Sequence, residues 1–292
     1  MKQAPSPLSY KAIGLSVFIF IWILVVYGLH TVELLQYYSF SLLGLVGAIF
    51  ANTTGAGGGV VFIPMFHQLG FSEQESVATS FAIQSFGMTA GAVTWFLNYR
   101  NLKAEQLSWR PLPSVVLLAS VCSVIGLSFS YQSSIGAPVA MHHVFSAFSV
   151  FLGIATLYIT LVGKPPQEHQ SHAYVDYVAF AVIGLVGGVI TAWLSVGVGE
   201  LLAVYLILRG YKVTLAIAAA VIVSAITVWS GLYHHIWEQP HVVWPVVLFA
   251  GPAAVLGGIA AKTIVGLFHV RTVKLFFGGY VLISGVFIAL LS

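Results

Sequence analysis

The chain has 292 residues, of which 59% are hydrophobic and only 7% are charged. Soluble domains have about 25% charged residues, and apolar runs of about twenty residues, long enough to span a bilayer, recur here from end to end. The composition therefore predicts an all-α polytopic membrane protein and excludes a soluble domain. The single cysteine, Cys122, excludes an internal disulfide and a cysteine-based zinc site. The net charge of +3 bears on orientation in the membrane and indicates no nucleic-acid partner.

The first apolar segment, residues 12–29, is predicted to be a retained transmembrane helix. A signal peptide has a shorter apolar core and small residues at a cleavage site, whereas "HTVELLQYY" follows here. The later apolar segments lie at 39–70, 74–98, 111–131, 138–162, 175–208, 213–233, 242–261 and 272–291. Those at 39–70 and 175–208 are interrupted by glycine and polar residues. The longest polar gap, "GKPPQEHQSHAY" at 163–174, is predicted to be a cytoplasmic linker.

The interrupted segments begin two copies of one unit. At an offset of 140 residues, "GLVG" at 44–47 aligns with "GLVG" at 184–187, and the aligned glycines that follow are Gly57 with Gly197, Gly59 with Gly199, and Gly70 with Gly210. At an offset of 132, the aligned pairs are Pro113 with Pro245, Gly126 with Gly258, and Gly153 with Gly285. We therefore predict a tail and extra transmembrane helix (1–38), a first repeat (39–162), the linker, and a second repeat (175–292).

Interrupted helices at equivalent places in two repeats point to a transport site. The first interruption is "ANTTGAGGGVVFIPMF" at 51–66. Backbone released from helical hydrogen bonds cannot face lipid, because its N–H and C=O groups would lack partners. Glycine lets the chain turn and lets a ligand approach the backbone closely. The breaks are therefore expected to line a cavity or to lie buried in protein.

Two membrane paths are considered for the interrupted segments, with the N-terminus inside. If each is a broken helix that crosses the bilayer, the positive residues on the wrong side are Arg100, Lys103, Arg110 and Lys164. If each is a re-entrant hairpin, all 11 Lys and Arg residues lie inside. We favour hairpins, although a broken crossing helix would also be long enough. Each repeat then crosses three times, so the repeats are inverted and their glycine turns meet near the midplane. The acidic loop "SEQES" (72–76) is expected outside and "RNLKAEQLSWR" (100–110) inside.

Three stretches carry a family resemblance: "TGAGGGVVFIP" (54–64), "LGFSEQESVATSFAI" (69–83) and "SVGVGELLAVYLILRGYKVTLAIAAA" (195–220). Together they resemble the duplicated signature of the TauE/SafE family of sulfite and organosulfonate exporters, over nearly the whole chain from residue 39. The second copy departs from the pattern, with Val198 opposite Gly58 and Ala219–Ala220 opposite Thr79–Ser80. The resemblance implies secondary transport, in the direction of export, of a small sulfur-containing anion.

The residues themselves indicate an anion site. A helix is predicted to begin after each glycine turn, at about Val60 and Glu200, and its first N–H groups lack partners and carry the positive end of the helix dipole. Two such ends that face each other suit an oxyanion. The predicted substrate-binding residues are Asn52, Thr53, Thr54, Gly57, Gly58, Gly59, Thr79, Ser80, Gln84, Trp193, Ser195, Gly197, Gly199 and Ser224. For each Ser and Thr, the alternative is an ordinary helix-packing contact.

Glu200 follows the second glycine turn directly, at predicted membrane depth. An ionised carboxylate there costs a few kcal/mol or more. As a functional residue, Glu200 would carry a proton, because burial favours the neutral form and a neutral side chain does not repel an anion. As a structural residue, it would be a helix N-terminal carboxylate stabilised by the dipole. Both interpretations stay open.

No metal site or cofactor is predicted. The histidines at 30, 142–143, 169, 172, 234–235 and 241 fall at predicted segment ends or in polar loops, and only His67, inside the first hairpin, is a candidate for function. The expected partners are a small anion and the lipid bilayer, with a homodimer as one candidate assembly, and the expected location is a bacterial inner membrane.

We predict a proton-coupled secondary transporter, and not an enzyme, that exports sulfite or an organosulfonate. A transporter or channel for another anion, such as a carboxylate or thiosulfate, is the alternative. A membrane-embedded enzyme would need a nucleophile–base or metal constellation at depth, and the sequence has no Gly-x-Ser-x-Gly or His-Glu-x-x-His pattern.

Overall fold

The structure, a computed structural model, describes residue 22 and residues 36–102, 107–133, 140–162, 174–267 and 270–291. Within these ranges the chain is helical and has no strand, which confirms the predicted all-α class. The first half contains α1 (Phe40–Thr54), α2 (Gly59–Gln68), α3 (Glu73–Leu102), α4 (Leu112–Gln132) and α5 (Met141–Leu161). The second half contains α6 (Tyr174–Leu194), α7 (Val198–Leu208), α8 (Val213–Tyr233), α9 (Trp244–Leu267) and α10 (Val270–Leu291).

Both breaks occur where the sequence predicts them. The chain leaves α1 through Gly55, with φ of 83°, and leaves α6 through Ser195, with φ of 57°. A left-handed residue commonly ends a helix in this way, and the two positions are 140 residues apart. After the breaks, α2 begins one residue before Val60 and α7 begins two residues before Glu200. The duplicated sequence thus forms the same helix-ending turn twice.

At each break the chain folds back on itself. A Cβ on Gly47 of α1 would touch the ring of Phe62 of α2, whereas a continuous helix would separate these positions by about 22 Å at 1.5 Å per residue. In the second half, a Cβ on Gly187 of α6 would lie 2.7 Å from Cα of Val198. Each pair, α1–α2 and α6–α7, is therefore a helical hairpin.

The open ends of both hairpins also contact each other. The rings of Phe40, at the start of α1, and Phe66, near the end of α2, are 6.3 Å apart. Asp176, at the start of α6, accepts a hydrogen bond of 2.7 Å from Nε of Arg209, which follows α7. The two ends of each hairpin thus lie close together.

The helix packing follows the duplication. α1 packs on α9 as α6 packs on α4, and α3 packs on α9 as α8 packs on α4. α5 packs on its equivalent α10, and α3 on its equivalent α8. Glycines allow these approaches, because a Cβ at Gly44 would overlap the backbone of Ala250 and one at Gly188 that of Ser123. The extra N-terminal segment also contacts this bundle, since Trp22 Nε1 donates to the carbonyl oxygen of Leu248 at 2.6 Å.

In the described part of the chain, five helical stretches are long and apolar enough to cross a membrane: 112–132, 142–161, 174–194, 213–238 and 244–267. The chain is thus a multi-pass membrane protein. Two expected crossings, α3 and α10, are not among these five, whereas 174–194 belongs to a segment predicted to be a hairpin. α3 has 30 residues, and its buried face carries Ser76, Thr79, Ser80, Gln84 and Ser85. The predicted first crossing, 12–29, lies outside the described residues except for Trp22.

Two segments differ from the sequence prediction. "SEQES" is the start of α3, because Ser72 and Glu75 form a capping box in which the Ser72 N–H donates to Glu75 Oε2 at 2.9 Å and the Glu75 N–H donates to Ser72 Oγ at 3.2 Å. His235 does not face a loop; it is buried and lies 3.0 Å from the hydroxyl of Tyr131. The predicted linker lies outside the described residues up to residue 173.

Candidate functional site

The carboxylate of Glu200 joins the two breaks. Its Oε2 accepts the N–H of Gly197 at 2.7 Å, a local bond from the third position of α7 to the residue before that helix. Its Oε1 accepts the N–H of Gly57 at 2.5 Å, from the other half of the chain. Gly57 and Gly197 are equivalent positions of the two repeats. One buried side chain therefore bridges the same backbone group of both breaks.

Gln84 of α3 forms a second bridge between the breaks. Its Oε1 accepts the N–H of Gly58 at 2.7 Å. Its Nε2 lies 2.7 Å from Ser195 Oγ and 3.0 Å from Ser80 Oγ, and Ser195 Oγ donates to Ser80 Oγ at 2.9 Å. All of these side chains are buried, so the polar groups at the start of α2 are tied to α3 and to the second break without surrounding solvent.

The glycines permit this close approach. A Cβ on Gly59 would lie 2.5 Å from the carbonyl oxygen of Ser195. A Cβ on Gly199 would overlap Ser224 Oγ and lie 2.7 Å from the carbonyl oxygen of Gly55. At Gly57 the nearest atoms are side-chain oxygens, at 3.1 Å and 3.3 Å, which belong to Gln84 and Glu200. A side chain at 59 or 199 would separate the breaks, and one at 57 would press on the two bridging side chains.

Five of the fourteen residues predicted to bind substrate line one small cavity at the breaks, together with Glu200. It is lined by Gly57, Gln84, Ser195, Gly197, Glu200 and Ser224. Thr191, which sequence reasoning missed, also lines it, and its hydroxyl accepts the N–H of Val198 at 3.1 Å. In the sequence, Thr191 is distinguished only as a polar residue one turn before the end of a helix. That these residues bind substrate stays a prediction.

Other predicted residues point elsewhere. The amide nitrogen of Asn52 donates to the carbonyl oxygen of Ala48 at 2.8 Å and lies 3.3 Å from that of Gly87. Thr79 accepts the N–H of Val243 at 3.0 Å. Trp193 packs against the apolar core and does not line the cavity at the breaks. In the structure, Asn52 and Thr79 therefore hold helices together next to the breaks.

A larger cavity reaches the breaks from one side, and we call it the lysine cavity. Thr53, Thr54, Ala56 and Glu200 line its inner end. Thr156 of α5 and Lys274 of α10 also line it. Sequence reasoning used Lys274 only as an orientation signal and did not single out Thr156, because neither lies near a glycine motif.

A buried ion pair closes the open end of the second hairpin. The carboxylate of Asp176 is fully buried and accepts hydrogen bonds from Arg209 Nε at 2.7 Å, from the Tyr205 hydroxyl at 2.7 Å and from the Tyr211 hydroxyl at 3.2 Å. These partners satisfy a charge that would otherwise be costly to bury. The ion pair thus fixes α6 and α7 as a hairpin and positions Glu200 at the start of α7.

In the described ranges, no group of three or more His, Cys, Asp or Glu side chains is placed to hold a metal ion. The breaks instead present backbone N–H groups at the starts of α2 and α7, where the helix dipole favours negative charge.

The family model described as "Sulfite exporter TauE/SafE" matches residues 40–288, which include both breaks and both hairpins. The chain belongs to the TauE/SafE family. The resemblance predicted from the glycine motifs is thereby confirmed. TauE/SafE proteins are transporters, so the family indicates a membrane exporter of sulfite or another sulfur-containing anion. Searches of the curated proteins and of the solved structures gave no match.

Proposed function

We propose that this TauE/SafE protein is a secondary transporter that exports a small sulfur-containing anion, such as sulfite or an organosulfonate, with proton coupling through Glu200. The observation that supports this most directly is the position of the Glu200 carboxylate, which accepts the equivalent N–H groups of Gly57 and Gly197. An anionic group already occupies the donors that an oxyanion substrate would need. The carboxylate and the substrate therefore compete for the same backbone groups.

Protonation of Glu200 would release these donors. An ionised carboxylate accepts at both oxygens, whereas a protonated one carries an O–H at one oxygen and cannot accept equally well there. At least one of the two glycine N–H groups then becomes available to a substrate oxygen. Hydrogen bonds to a charged group contribute about 1.5–3 kcal/mol each, so the ionised side chain is a strong competitor. Anion binding is thus expected to go together with proton uptake.

We further propose that the two hairpins are re-entrant and that the repeats are inverted. The contacts of Phe40 with Phe66 and of Asp176 with Arg209 support this, because the two ends of a crossing segment would lie at opposite faces. The charge distribution supports the same path, because a re-entrant path places all 11 Lys and Arg residues on the inner side. Under this topology the glycine turns meet near the midplane, where transporters bind substrate.

The test is transport by the purified protein in proteoliposomes. We expect radiolabelled sulfite to accumulate when a pH gradient is imposed and to equilibrate without accumulation when the gradient is absent. Unlabelled organosulfonate, thiosulfate, sulfate and carboxylates, added in excess one at a time, rank the substrates. Accumulation of a carboxylate but not of sulfite would show that the transported substrate is a carboxylate and not a sulfur-containing anion. Anion flux that follows the membrane potential and ignores the pH gradient would instead show a channel.

A further inference from the structure

The lysine cavity has an equivalent in the other half of the protein. A separate cavity, which we call the histidine cavity, is lined by Ile63, His67, Glu73, His142, Phe145 and Ile288. The lysine cavity is lined by Ala203, Ile207, Val213, Lys274, Phe277 and Thr156 among others. At the offset of 140, Ile63, His67 and Glu73 align with Ala203, Ile207 and Val213. The offset of 132 relates the remaining three: His142 to Lys274, Phe145 to Phe277, and Thr156 to Ile288.

This correspondence means that the two cavities are one structural feature formed twice. In each, a short helix of a hairpin, α2 or α7, packs beside α5 and α10. Lys274 lies near the start of α10, close to Arg271 in the chain, on the side predicted to carry the positive residues. Glu73 lies at the start of α3, in the acidic segment predicted to be outside. Under the proposed inverted topology, the cavities are therefore on opposite sides of the paired breaks.

The lysine cavity has the donors that an oxyanion needs. Lys274 is half-buried, and among the described residues no carboxylate lies within ion-pair distance of it. The hydroxyl of Thr156, in a residue that is 7% exposed, has no hydrogen-bond partner in the part of the chain that the structure describes. An ammonium group and an unpartnered hydroxyl face a mostly apolar space that continues to Thr54 and Glu200. Ligand sites commonly combine an apolar wall with a few such polar groups.

The histidine cavity differs at its inner end. The positions equivalent to Thr53, Thr54 and Ala56 are Trp193, Leu194 and Val196, and they do not line it. The histidine cavity thus lacks the lining by break residues and by Glu200 that the lysine cavity has. Its basic residue, His142, lies with Nδ1 3.6 Å from Glu73 Oε1. Residues of the first break line the lysine cavity, whereas no break residue lines its equivalent.

We infer that Lys274 is an anion-binding residue, that Thr156 binds the same anion, and that the lysine and histidine cavities are the inner and outer ends of one transport path. This rests on the proposed transport function. The substrate oxyanion pairs with Lys274 in the lysine cavity and passes from there to the N–H groups of Gly57 and Gly197. His142 is the basic residue that meets it at the other end.

The first experiment measures sulfite transport by Lys274→Gln, Lys274→Arg and the control Lys262→Gln in proteoliposomes. Lys262 is a lysine of α9 that lines neither cavity. We expect Lys274→Gln to raise KM at least tenfold with a smaller change in kcat, Lys274→Arg to keep most of the affinity, and Lys262→Gln to behave like the unchanged protein. An unchanged KM in Lys274→Gln overturns the inference.

A lipid phosphate has the same chemistry as a free oxyanion, so the same variants are measured in vesicles with and without anionic lipid. If Lys274 binds the transported anion, the KM effect of Lys274→Gln is present in both vesicles. An effect that occurs only with anionic lipid would mean that Lys274 holds a headgroup, and it would overturn the inference.

The second experiment does not depend on transport. Thr156→Cys in a Cys122→Ser background is labelled with an anionic and with a neutral water-soluble thiol reagent, with Lys274 present or changed to Gln. We expect the Gln variant to slow the anionic reagent about tenfold and to leave the neutral reagent unchanged, and we expect sulfite to protect the cysteine. If the Gln variant slows only the anionic reagent but the protein does not transport sulfite, the anion site is supported and the proposed transport function is contradicted. Equal slowing of both reagents, or of neither, would overturn the site.

Discussion

Gly57 and Gly197 lie 140 residues apart and donate their backbone N–H groups to the two oxygens of one carboxylate, that of Glu200. The carboxylate comes from only one repeat, because the position equivalent to Glu200 is Val60. The equivalent breaks of the two halves thus share one side chain, which only the second half contributes. This asymmetry makes Glu200 the residue whose charge state affects both breaks at once, and it defines the first prediction.

Glu200→Gln is expected to abolish the dependence of net transport on the pH gradient while anion exchange continues. The amide keeps the size of the side chain, but it has no proton to release and its NH2 group cannot accept the second glycine N–H. The measurement is sulfite flux in proteoliposomes, with and without an imposed pH gradient. Glu200→Asp serves as the control, since it keeps the carboxylate and should shift the pH response without removing it. A full pH-driven response in the Gln variant would leave Glu200 with a structural role.

Substitutions at the break glycines are expected to have graded effects. Gly199→Val should abolish transport because its side chain would overlap Ser224 Oγ and the backbone of Gly55. Gly57→Val should also abolish transport, whereas Gly57→Ala should reduce it only partly, since the nearest atoms lie at 3.1 Å and 3.3 Å. Gly279→Ala is the matched control in α10, because a Cβ there meets nothing within 4 Å.

These glycine variants are compared by sulfite uptake, normalised to the amount of folded protein measured by size-exclusion chromatography. Normal folding and wild-type uptake in both valine variants would contradict the assignment of the breaks as the transport site.

The first hairpin is expected to begin and end on the outer face of the cell membrane. Single cysteines are placed at Tyr38, Ser72 and Ser108 in a Cys122→Ser background and labelled in intact cells with an impermeant thiol reagent. Positions 38 and 72 should be labelled and position 108 should be protected until the cells are opened, because a re-entrant hairpin returns to the face it left. Labelling of 38 and 72 from opposite faces would show a broken helix that crosses.

Asp176→Asn is expected to destabilise the protein by about 1–3 kcal/mol, because the buried carboxylate stabilises Arg209 and two tyrosine hydroxyls. The loss is below that of a fully buried pair, since the Arg209 side chain is 36% exposed and keeps part of its hydration. Thermal unfolding of the purified protein in detergent measures the effect. Glu238→Gln is the control, because Glu238 pairs with His234 while remaining exposed. An unchanged unfolding temperature in Asp176→Asn would mean that the ion pair does not hold the hairpin.

The helical class, the two breaks and the family could be predicted from the sequence because each depends on local or repeated features. A bilayer requires long apolar helices, and glycines such as Gly55 and Gly70 permit left-handed turns wherever they occur. The bond from Glu200 to Gly197 is equally local, since it spans one helical turn. Because the sequence is duplicated, the glycine-containing break occurs in both halves and can be recognised by comparing them.

The tertiary structure decided which side chains meet across the bundle. The bond from Glu200 to Gly57 joins residues 143 apart, and the meeting of Lys274 with Thr156 in one cavity depends on how α10 packs against α5. A helical period indicates that a residue lies on some face, but the faces that come together depend on helix packing, and here glycines control how closely the helices approach. The same packing turned Thr79 toward Val243 and away from the breaks. The sequence by itself determined where the helices break, and only the folded chain determined that one carboxylate joins them.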